Sequence, residues 1–482
     1  MTTQTEKKER SLGLLDAVLI VSGSMIGSGI FLVSADMSRQ LGSPGLLLLA
    51  WFVTGLITLT AALSYGELAG MMPKAGGQYV YIRRAFGPLT SFVYGWSVFT
   101  VIQSGVIAAV AVAFANYTGV FFPAVGKENI LFTLGSFTIS GGQLLAIGLV
   151  VFLTWLNTRG IEEGKWVQRI FTTAKLVALF GLIATGLYWM TQSDVWANNW
   201  KLGFGAFAWS DKAYGWEEIG TFAAVTAFGT ALIGSLFSSD AWNNVTFIAG
   251  EIRDPARNIP RSLFLGTLLV TIVYLLANVA YLALLPLQGH PHPEIMVNGI
   301  SHAASDRVGA AAASVIFGPQ GVFIMAALIM VSTFGCNNGL ILAGARLYEA
   351  MAKDGLFFKS ATRLNKNGVP ANALWWQAIW ASVLCLSGTY GDLLDYCTFA
   401  SLIFYMVTVY GIFVLRRREP EAERPYKAFG YPVIPALYIL LAGAICLDLL
   451  VFKTTYTVRG LLIVLAGVPV YWLIARSRKQ AG

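Results

Sequence analysis

Long apolar segments follow one another along almost the whole chain, and this feature constrains the fold most. A helix needs about 20 mainly apolar residues to cross the roughly 30 Å hydrocarbon layer of a membrane. Twelve segments approach or exceed that length, at 13–36, 44–70, 89–121, 142–158, 166–190, 220–250, 261–286, 320–350, 371–388, 393–415, 432–451 and 456–475. The sequence therefore predicts an all-α membrane protein with twelve transmembrane helices. The stretch 301–318 is too mixed in composition to span, and we expect a surface helix there.

Composition argues against the other classes of protein. The chain has 482 residues, of which 56% are hydrophobic and 12% are charged, whereas about 25% are charged in ordinary soluble domains. The apolar runs are continuous rather than alternating, which argues against a transmembrane β-barrel. Because no low-complexity linker divides the chain, we expect one membrane domain at 13–475 between short tails at 1–12 and 476–482.

Lysine and arginine are distributed unequally between alternate loops. Of the 33 basic residues, 25 fall in the loops that share a side with both termini, and seven fall on the other side. Because cytoplasmic loops are enriched in lysine and arginine, this bias predicts that both termini are cytoplasmic. The net charge of +8 is thus explained by orientation rather than by nucleic-acid binding. A cleavable signal peptide ending near Ala35 is a less favoured alternative, since the first apolar run is long for one.

Three glycines interrupt the first segment near its middle, at Gly23, Gly27 and Gly29. Each glycine destabilises a helix by about 1 kcal/mol relative to alanine. Such a stretch can unwind, and unwound backbone is tolerated at membrane depth where it lines a cavity. Gly23 and Gly27 also form a G-x-x-x-G helix-packing motif. This stretch alone leaves both interpretations open.

Polar residues interrupt the sixth segment at Ser238, Ser239 and Asp240. A charge at the bilayer centre costs about 2.5–3.5 kcal/mol. A second broken helix, five segments after the first, is typical of inverted repeats with a substrate site at the midplane. Half-helix N-termini there attract an anionic group and freed carbonyls attract a cation. An α-amino acid carries both charges.

Lys175 is a further charge inside an apolar segment. It lies nine residues after Trp166, or about 13 Å along a helix. Extension of the side chain to the membrane surface is one explanation. We favour a buried ammonium bonded to freed carbonyls or hydroxyls, where it could occupy the place of a sodium ion.

Motifs for other chemistries are missing from the sequence. It contains no G-x-x-x-x-G-K-[ST], H-E-x-x-H or G-x-S-x-G motif, so neither an ATP-driven pump nor a membrane hydrolase is indicated. His290, His292 and His302 share one loop, but no cysteine or clear carboxylate set accompanies them. They give weak support for a zinc site, and we predict no metal, no cofactor and no enzymatic activity.

Two motifs carry a family resemblance. Gly23-Ser-Met-Ile-Gly-Ser-Gly-Ile-Phe31 and Phe237-Ser-Ser-Asp-Ala-Trp-Asn243 resemble the amino acid–polyamine–organocation superfamily, most closely its bacterial L-type amino-acid transporters. The resemblance extends over about 11–475 and implies the LeuT-like fold. In that fold, inverted five-helix repeats at about 13–190 and 220–415 would precede two extra helices at about 432–475, with helices 1 and 6 broken.

The resemblance also implies roles for individual residues. Backbone N–H groups of the first break would bind the substrate carboxylate, and the carbonyls of Phe237 and Ser238 would bind its ammonium. Phe237 would be an aromatic gate. Lys175 would occupy the position of the second sodium site of sodium-coupled relatives, beside Gly23 and either Ser332 or Thr333. The complete substrate-binding set is Ile26, Gly27, Ser28, Gly29, Ile30, Phe237, Ser238, Ser239, Asp240 and Asn337.

The expected function is sodium-independent exchange or facilitated uptake of small or medium neutral L-amino acids by alternating access, in the cell inner (plasma) membrane. Alternatives are a proton-coupled or cationic permease for amino acids or polyamines, and a transporter-like substrate sensor. Asp240 either caps the helix after the break, which we favour, or is a counter-charge for cationic substrates. The loop 119–141 contains no cysteine, so no disulfide-linked heavy chain is expected. Glu67, near a segment end, is expected to face lipid headgroups.

Overall fold

The computed structural model describes residues 12–73, 76–134, 137–159, 162–292, 298–387 and 390–481. Most of the predicted N-terminal tail, 1–11, and the last residue of the C-terminal tail lie outside these ranges. So does Lys74, one of the basic residues that predict the orientation.

Helices account for most of the described chain. They are α1 (Leu14–Met25), α2 (Val33–Leu41), α3 (Pro44–Met71), α4 (Gly77–Phe86), α5 (Pro88–Ser97), α6 (Gln103–Phe121), α7 (Gly141–Thr158), α8 (Glu162–Trp189), α9 (Val195–Trp200), α10 (Thr221–Ser238), α11 (Pro255–Leu284), α12 (Val308–Phe317), α13 (Pro319–Lys353), α14 (Ala371–Ser387), α15 (Tyr390–Arg418), α16 (Val433–Phe452) and α17 (Thr454–Ala481).

Each predicted apolar segment coincides with a helix or with a pair of consecutive helices. The third segment consists of α5 and α6, joined by a π-helical turn at Val98–Ile102. Within the described ranges, ten helical stretches are long and apolar enough to cross a membrane. The exceptions are the first segment, which is divided between α1 and α2, and the ninth, α14, which is short. The chain is thus a multi-pass, mostly helical membrane protein.

The stretch 301–318 differs from its prediction. Helix α12 begins only at Val308, and the residues before it are largely irregular. Val308, Ala312 and Ala313 are buried, and the helix packs against α13. Val315 and Phe317 of the same helix are exposed, so α12 lies at the surface as predicted but occupies only the second half of the stretch.

The two broken helices pack with their halves exchanged. Helix α10, the first half of the sixth segment, packs against α2, the second half of the first segment. The short 3-10 helix Trp242–Thr246 that follows the second break packs against α1. The two breaks are therefore brought together where the helices change partners.

Two short hairpins lie in the loops. Strand β1 (Ile130–Leu134) pairs antiparallel with β2 (Phe137–Ser140), and β3 (Phe207–Ser210) pairs antiparallel with β4 (Gly215–Glu218). No strands were predicted from the sequence. Strand β3 packs against α2, which ends at Gly42 with a positive φ of 60°.

Glu67 does not face lipid headgroups, contrary to the prediction. Its side chain is 1% exposed and accepts hydrogen bonds from Arg416 at 2.9 and 2.6 Å and from Arg424 at 3.2 Å. The N–H of Ala428 donates to it at 2.7 Å. A buried carboxylate needs such partners, and this one joins α3 to the end of α15 and to the segment after it.

Candidate functional site

The first break lies between α1 and α2. The backbone turns extended at Ile26, with ψ of 91°, and then forms a single 3-10 turn at Gly29–Phe31 before α2 begins. The N–H of Ile26 still donates to the carbonyl of Ser22 at 2.9 Å. Because each residue has only one backbone N–H, Ile26 has no donor left for the substrate carboxylate, contrary to the prediction. Candidate donors are therefore confined to residues 27–30.

The second break begins where α10 ends at Ser238. Ala241 has a positive φ of 64°, an uncommon conformation for a residue with a side chain. Gly29 lies directly against the end of α10: a Cβ on Gly29 would lie 2.8 Å from the Cβ of Ser238 and 3.0 Å from its Cα. The two breaks are therefore in contact, and the contact leaves no space for a side chain at Gly29.

Tyrosine hydroxyls bond to the carbonyls that the breaks release. The hydroxyl of Tyr274 lies 2.9 Å from the carbonyl oxygen of Met25 and 3.0 Å from that of Ser238, so it bridges the two breaks. The hydroxyl of Tyr281 donates to the carbonyl of Ile30 at 3.2 Å. Neither tyrosine was predicted from the sequence. Their seven-residue spacing, about two helical turns, places them on one face of α11 and could have indicated them.

Lys175 lies beside the end of α1. Its side chain is 1% exposed, and its Nζ donates to the carbonyls of Gly23 at 2.6 Å and Ile26 at 2.7 Å. Charge-assisted hydrogen bonds of this kind are stronger than neutral ones. The ammonium thus occupies carbonyl oxygens that a cation could otherwise coordinate.

Lys175 bonds to α1, but the expected hydrogen bond from Lys175 to a hydroxyl of α13 is not formed among the described residues. The hydroxyl of Thr333 donates to its own helix, at the carbonyl of Ile329, at 2.9 Å. The hydroxyl of Ser332 is buried and has no hydrogen-bond partner among the described residues. Neither side chain bonds to Lys175 in this conformation, so their role stays a prediction.

Asp240 bonds to a neighbouring helix. The hydroxyl of Tyr405 on α15 lies 2.5 Å from its Oδ1. The carboxylate of Asp240 also forms a hydrogen bond with the backbone of Ala241, the residue directly before the following 3-10 helix, so the capping interpretation stays a prediction. Among the described residues, no lysine, arginine or histidine forms an ion pair with Asp240. Close by, the side-chain amide of Asn243 donates a hydrogen bond to Gln78 at 3.1 Å.

Phe237, Ser239 and Asn337 are buried near the breaks. Phe237 and Ser239 line a small cavity of about 20 Å³ together with Asp240 and Tyr405. Asn337 is fully buried, and both ends of its amide lack a partner among the described residues. An unsatisfied buried polar group costs about 1–3 kcal/mol, so this amide is available to a ligand. The next residue, Asn338, is paired with Asn157 at 2.8 Å.

Access to the breaks is unequal from the two sides. A cavity of about 620 Å³ lies beyond α2 and the middle of α10, reaching Val33 and Gly234. The cavity on the opposite side, lined by Gln78, Tyr94 and Asp240, has a volume of about 30 Å³.

Ion pairs join the helices on the narrow side. Arg83 on α4 pairs with Asp354, which follows α13. The hydroxyl of Tyr79 donates to the same carboxylate at 2.9 Å. Arg84 pairs with Glu419 at 2.5 Å and, together with Arg424, keeps the pKa of that carboxyl below its usual value. These contacts hold α4 against two neighbours.

Comparison with known proteins agrees with this architecture. The amino acid permease family model matches residues 12–473. The mouse b(0,+)-type amino acid transporter 1 is 28% identical over 472 residues, covering 98% of this chain and 89% of that protein. The human large neutral amino acids transporter small subunit 2 is 32% identical over 467 residues, covering 96% of this chain and 80% of that protein.

Both relatives are transporters by name, and the family model spans nearly the whole chain, including the two breaks and Lys175. The chain therefore belongs to the amino acid permease family, within the amino acid–polyamine–organocation superfamily.

Proposed function

We propose that this protein transports small or medium neutral L-amino acids across the cell membrane without sodium, by exchange or facilitated uptake. The observation that carries the proposal is the pair of hydrogen bonds from Lys175 to the carbonyls of Gly23 and Ile26. A fixed ammonium supplies the positive charge that a bound sodium ion would supply. It leaves no need for a sodium ion to hold the end of α1 in place.

The contact between the two breaks supports recognition of a zwitterion. In the proposal, the N–H groups of residues 27–30 bind the α-carboxylate, since the free N–H groups of a helix start attract anions. The carbonyls of Phe237 and Ser238 accept from the α-ammonium. The Ser238 carbonyl already accepts from Tyr274, but a carbonyl has a second lone pair. Phe237 covers the substrate, and the free amide of Asn337 completes the site.

We further propose twelve spans in the LeuT-like arrangement, with both termini cytoplasmic, as one permease domain. The exchanged packing of the broken helices is the geometry that inverted repeats require. With this orientation the cavity of about 620 Å³ faces the outside, and the ion pairs of α4 close the cytoplasmic side. The structure then corresponds to an outward-facing state.

Asp240 supports a second candidate function, transport of cationic amino acids. It bonds to a neutral hydroxyl and has no cationic partner among the described residues, so it could receive a substrate cation. One similar relative is a b(0,+)-type transporter and another is a transporter of large neutral amino acids. We favour neutral substrates because no second acidic residue accompanies Asp240 in the sixth segment.

Uptake into proteoliposomes tests the proposal. Purified protein is reconstituted, vesicles are loaded with an unlabelled amino acid, and radiolabelled alanine, serine, leucine, lysine and arginine are offered outside. We expect uptake of the neutral amino acids to be unchanged when choline replaces sodium. A large loss of flux in choline would refute sodium independence. Binding without flux in any loaded vesicle would favour a sensor, and flux of arginine above every neutral amino acid would favour the second candidate.

A further inference from the structure

Polar side chains follow one face of α15, inside the part of that helix that is apolar enough to span a membrane. Thr398, Ser401, Tyr405 and Thr408 recur at spacings of three or four residues, so they lie on one side of the helix. From first to last they cover about 15 Å along its axis. Asp395, about one turn before them, lines the cavity of about 620 Å³. We call the four side chains from Thr398 to Thr408 the polar row.

Two hydroxyls of the polar row differ from the others. The hydroxyl of Thr408 donates to the carbonyl of Phe404 at 2.7 Å, a common bond for hydroxyls within helices. Thr398 and Ser401 are each 4% exposed, and neither hydroxyl is in hydrogen-bonding geometry with any atom of the described ranges. The Ser401 hydroxyl nevertheless approaches the carboxylate of Asp240. Because a buried hydroxyl without a partner costs free energy, both favour a bond to water.

Three cavities follow one another along the polar row. The cavity of about 620 Å³ reaches Leu394 and Asp395. A cavity of about 20 Å³ lies beside Thr398 and Ser401, and a third of about 30 Å³ lies beside Ser401. A water molecule needs about 10–15 Å³ and a few polar partners, so each small cavity has room for one. Asp240 lines both small cavities and is therefore the acid that the row leads to.

The ionisable groups that face Asp240 are weak acids. They are Tyr405 and Cys397 on α15, Tyr94 on α5 and Tyr438 on α16, with Tyr65 on α3 behind the ring of Tyr405. Hydroxyls and a backbone amide bond to the carboxylate, and no cation of the described chain pairs with it. A charge inside the membrane is costly without such a partner. A proton on Asp240 removes that charge.

The hydroxyl of Tyr405 lies between two acceptors. It is 2.5 Å from Oδ1 of Asp240 and 3.5 Å from Oδ1 of Asn243. The amide of Asn243 donates to Gln78 on α4, and Gln78 donates to Thr408 at 3.0 Å. A charged carboxylate holds the hydroxyl more strongly than a neutral amide does. Protonation of Asp240 therefore frees Tyr405 to turn toward Asn243 and the helices of the narrow side.

We propose that Asp240 is a proton-binding site, that the polar row conducts protons to it, and that amino-acid uptake is coupled to proton entry. A proton from water in the large cavity passes along the hydroxyls of Thr398 and Ser401 and the water between them to a carboxylate oxygen of Asp240. Each hydroxyl accepts one proton and donates another, so the row itself keeps no charge. The proton leaves to water beside Asn243 when that side opens.

The position of Asp240 in the second break explains the coupling. The same break supplies the carbonyls of Phe237 and Ser238 that are proposed to accept from the substrate ammonium. Loss or gain of charge at Asp240 therefore acts on the backbone that holds the substrate. The inference adds a driving ion to the proposed function and rests on it, since the large cavity faces the outside only in the proposed orientation.

The size of the expected effect follows from one proton per amino acid. Proteoliposomes with equal potassium on both sides and valinomycin hold the membrane potential at zero. With the inside one pH unit more alkaline, proton activity differs tenfold, which corresponds to about 1.4 kcal/mol. We therefore expect radiolabelled alanine to accumulate up to about tenfold inside. Without the pH gradient, it should only reach equal concentrations.

Conservative variants separate the polar row from the rest of the transporter. Thr398→Val and Ser401→Ala, combined, remove both hydroxyls with little change in volume and should abolish the accumulation. Exchange of alanine at equal pH should persist in this double variant. Tyr405→Phe should also lower the accumulation, whereas Tyr410→Phe, at an exposed tyrosine of the same helix, is the matched control and should retain it.

Infrared difference spectroscopy of the purified protein observes the proton without any transport. Between pH 8 and pH 5, we expect the wild type to gain a carboxylic acid C=O band that Asp240→Asn lacks. A wild type and an Asp240→Asn variant with identical band changes would overturn the proton site. This measurement also decides if the double variant of the polar row does not fold.

The flux outcomes distinguish the two proposals. Exchange without accumulation driven by the pH gradient in the wild type overturns the proton coupling and leaves the proposed transport intact. Full accumulation in the Thr398–Ser401 double variant overturns conduction by the polar row. Absence of flux for every amino acid, with the Asp240-dependent band retained, refutes the proposed transport and supports the proton site.

Discussion

A methyl group added at Gly29 should separate the two breaks. In Gly29→Ala the new Cβ would lie 2.8 Å from the Cβ of Ser238 and 3.0 Å from its Cα. Carbon atoms pack at about 3.5–4.0 Å, so the backbone around Gly29 must move outward by roughly 0.5–1 Å. This movement displaces the N–H groups of residues 27–30 from the positions proposed for the substrate carboxylate.

The size of the effect follows from the cost of overpacking. Extra carbon in a close-packed interior costs about 1–3 kcal/mol. Since each 1.4 kcal/mol is about tenfold in affinity, we expect Gly29→Ala to weaken substrate binding by about 5- to 150-fold. Gly27→Ala is the matched control, because its Cβ would meet the sulfur of Cys336 at 3.4 Å and the carbonyl oxygen of Met25 at 4.0 Å. It should change affinity only slightly.

A second substitution tests the cause. Ser238→Gly removes the Cβ and the hydroxyl that the new methyl would strike, so it should restore part of the affinity in the Gly29→Ala background. Affinity is measured by calorimetry on purified protein, and initial uptake is measured in proteoliposomes. Equal losses at Gly27 and Gly29, or no restoration by Ser238→Gly, would show that contact between the breaks does not set the site.

The remaining predictions concern three side chains at the site. Phe237→Ala should fold normally yet lose most transport, whereas the same change at the exposed Phe222 should not; equal uptake by both variants would refute gating. Lys175→Ala removes two charge-assisted bonds, each contributing about 1.5–3 kcal/mol, so exchange should slow at least tenfold, while Val177→Ala on the same helix serves as the unaffected control. Asp240→Asn should leave competition by neutral amino acids unchanged; selective loss of arginine competition would instead identify a counter-charge.

The chain's periodicity and composition determined the membrane class and the positions of its irregularities. Clustered glycines weaken a helix wherever it folds, and polar residues in an apolar run cannot face lipid. For this reason the breaks near Gly27 and Ser239, and the depth of Lys175, could be predicted from local sequence. The structure has helix interruptions at both places.

Tertiary structure alone decided which groups meet. Tyr274 bridges Met25 and Ser238, and Tyr405 bonds Asp240. A helix hundreds of residues away supplies one of the two arginine partners of Glu67. A residue's helical position fixes the face on which it lies but not the helix that packs against that face. The latter depends on how all the spans fit together, so the bridging tyrosine and the partners of both carboxylates appear only in the folded chain.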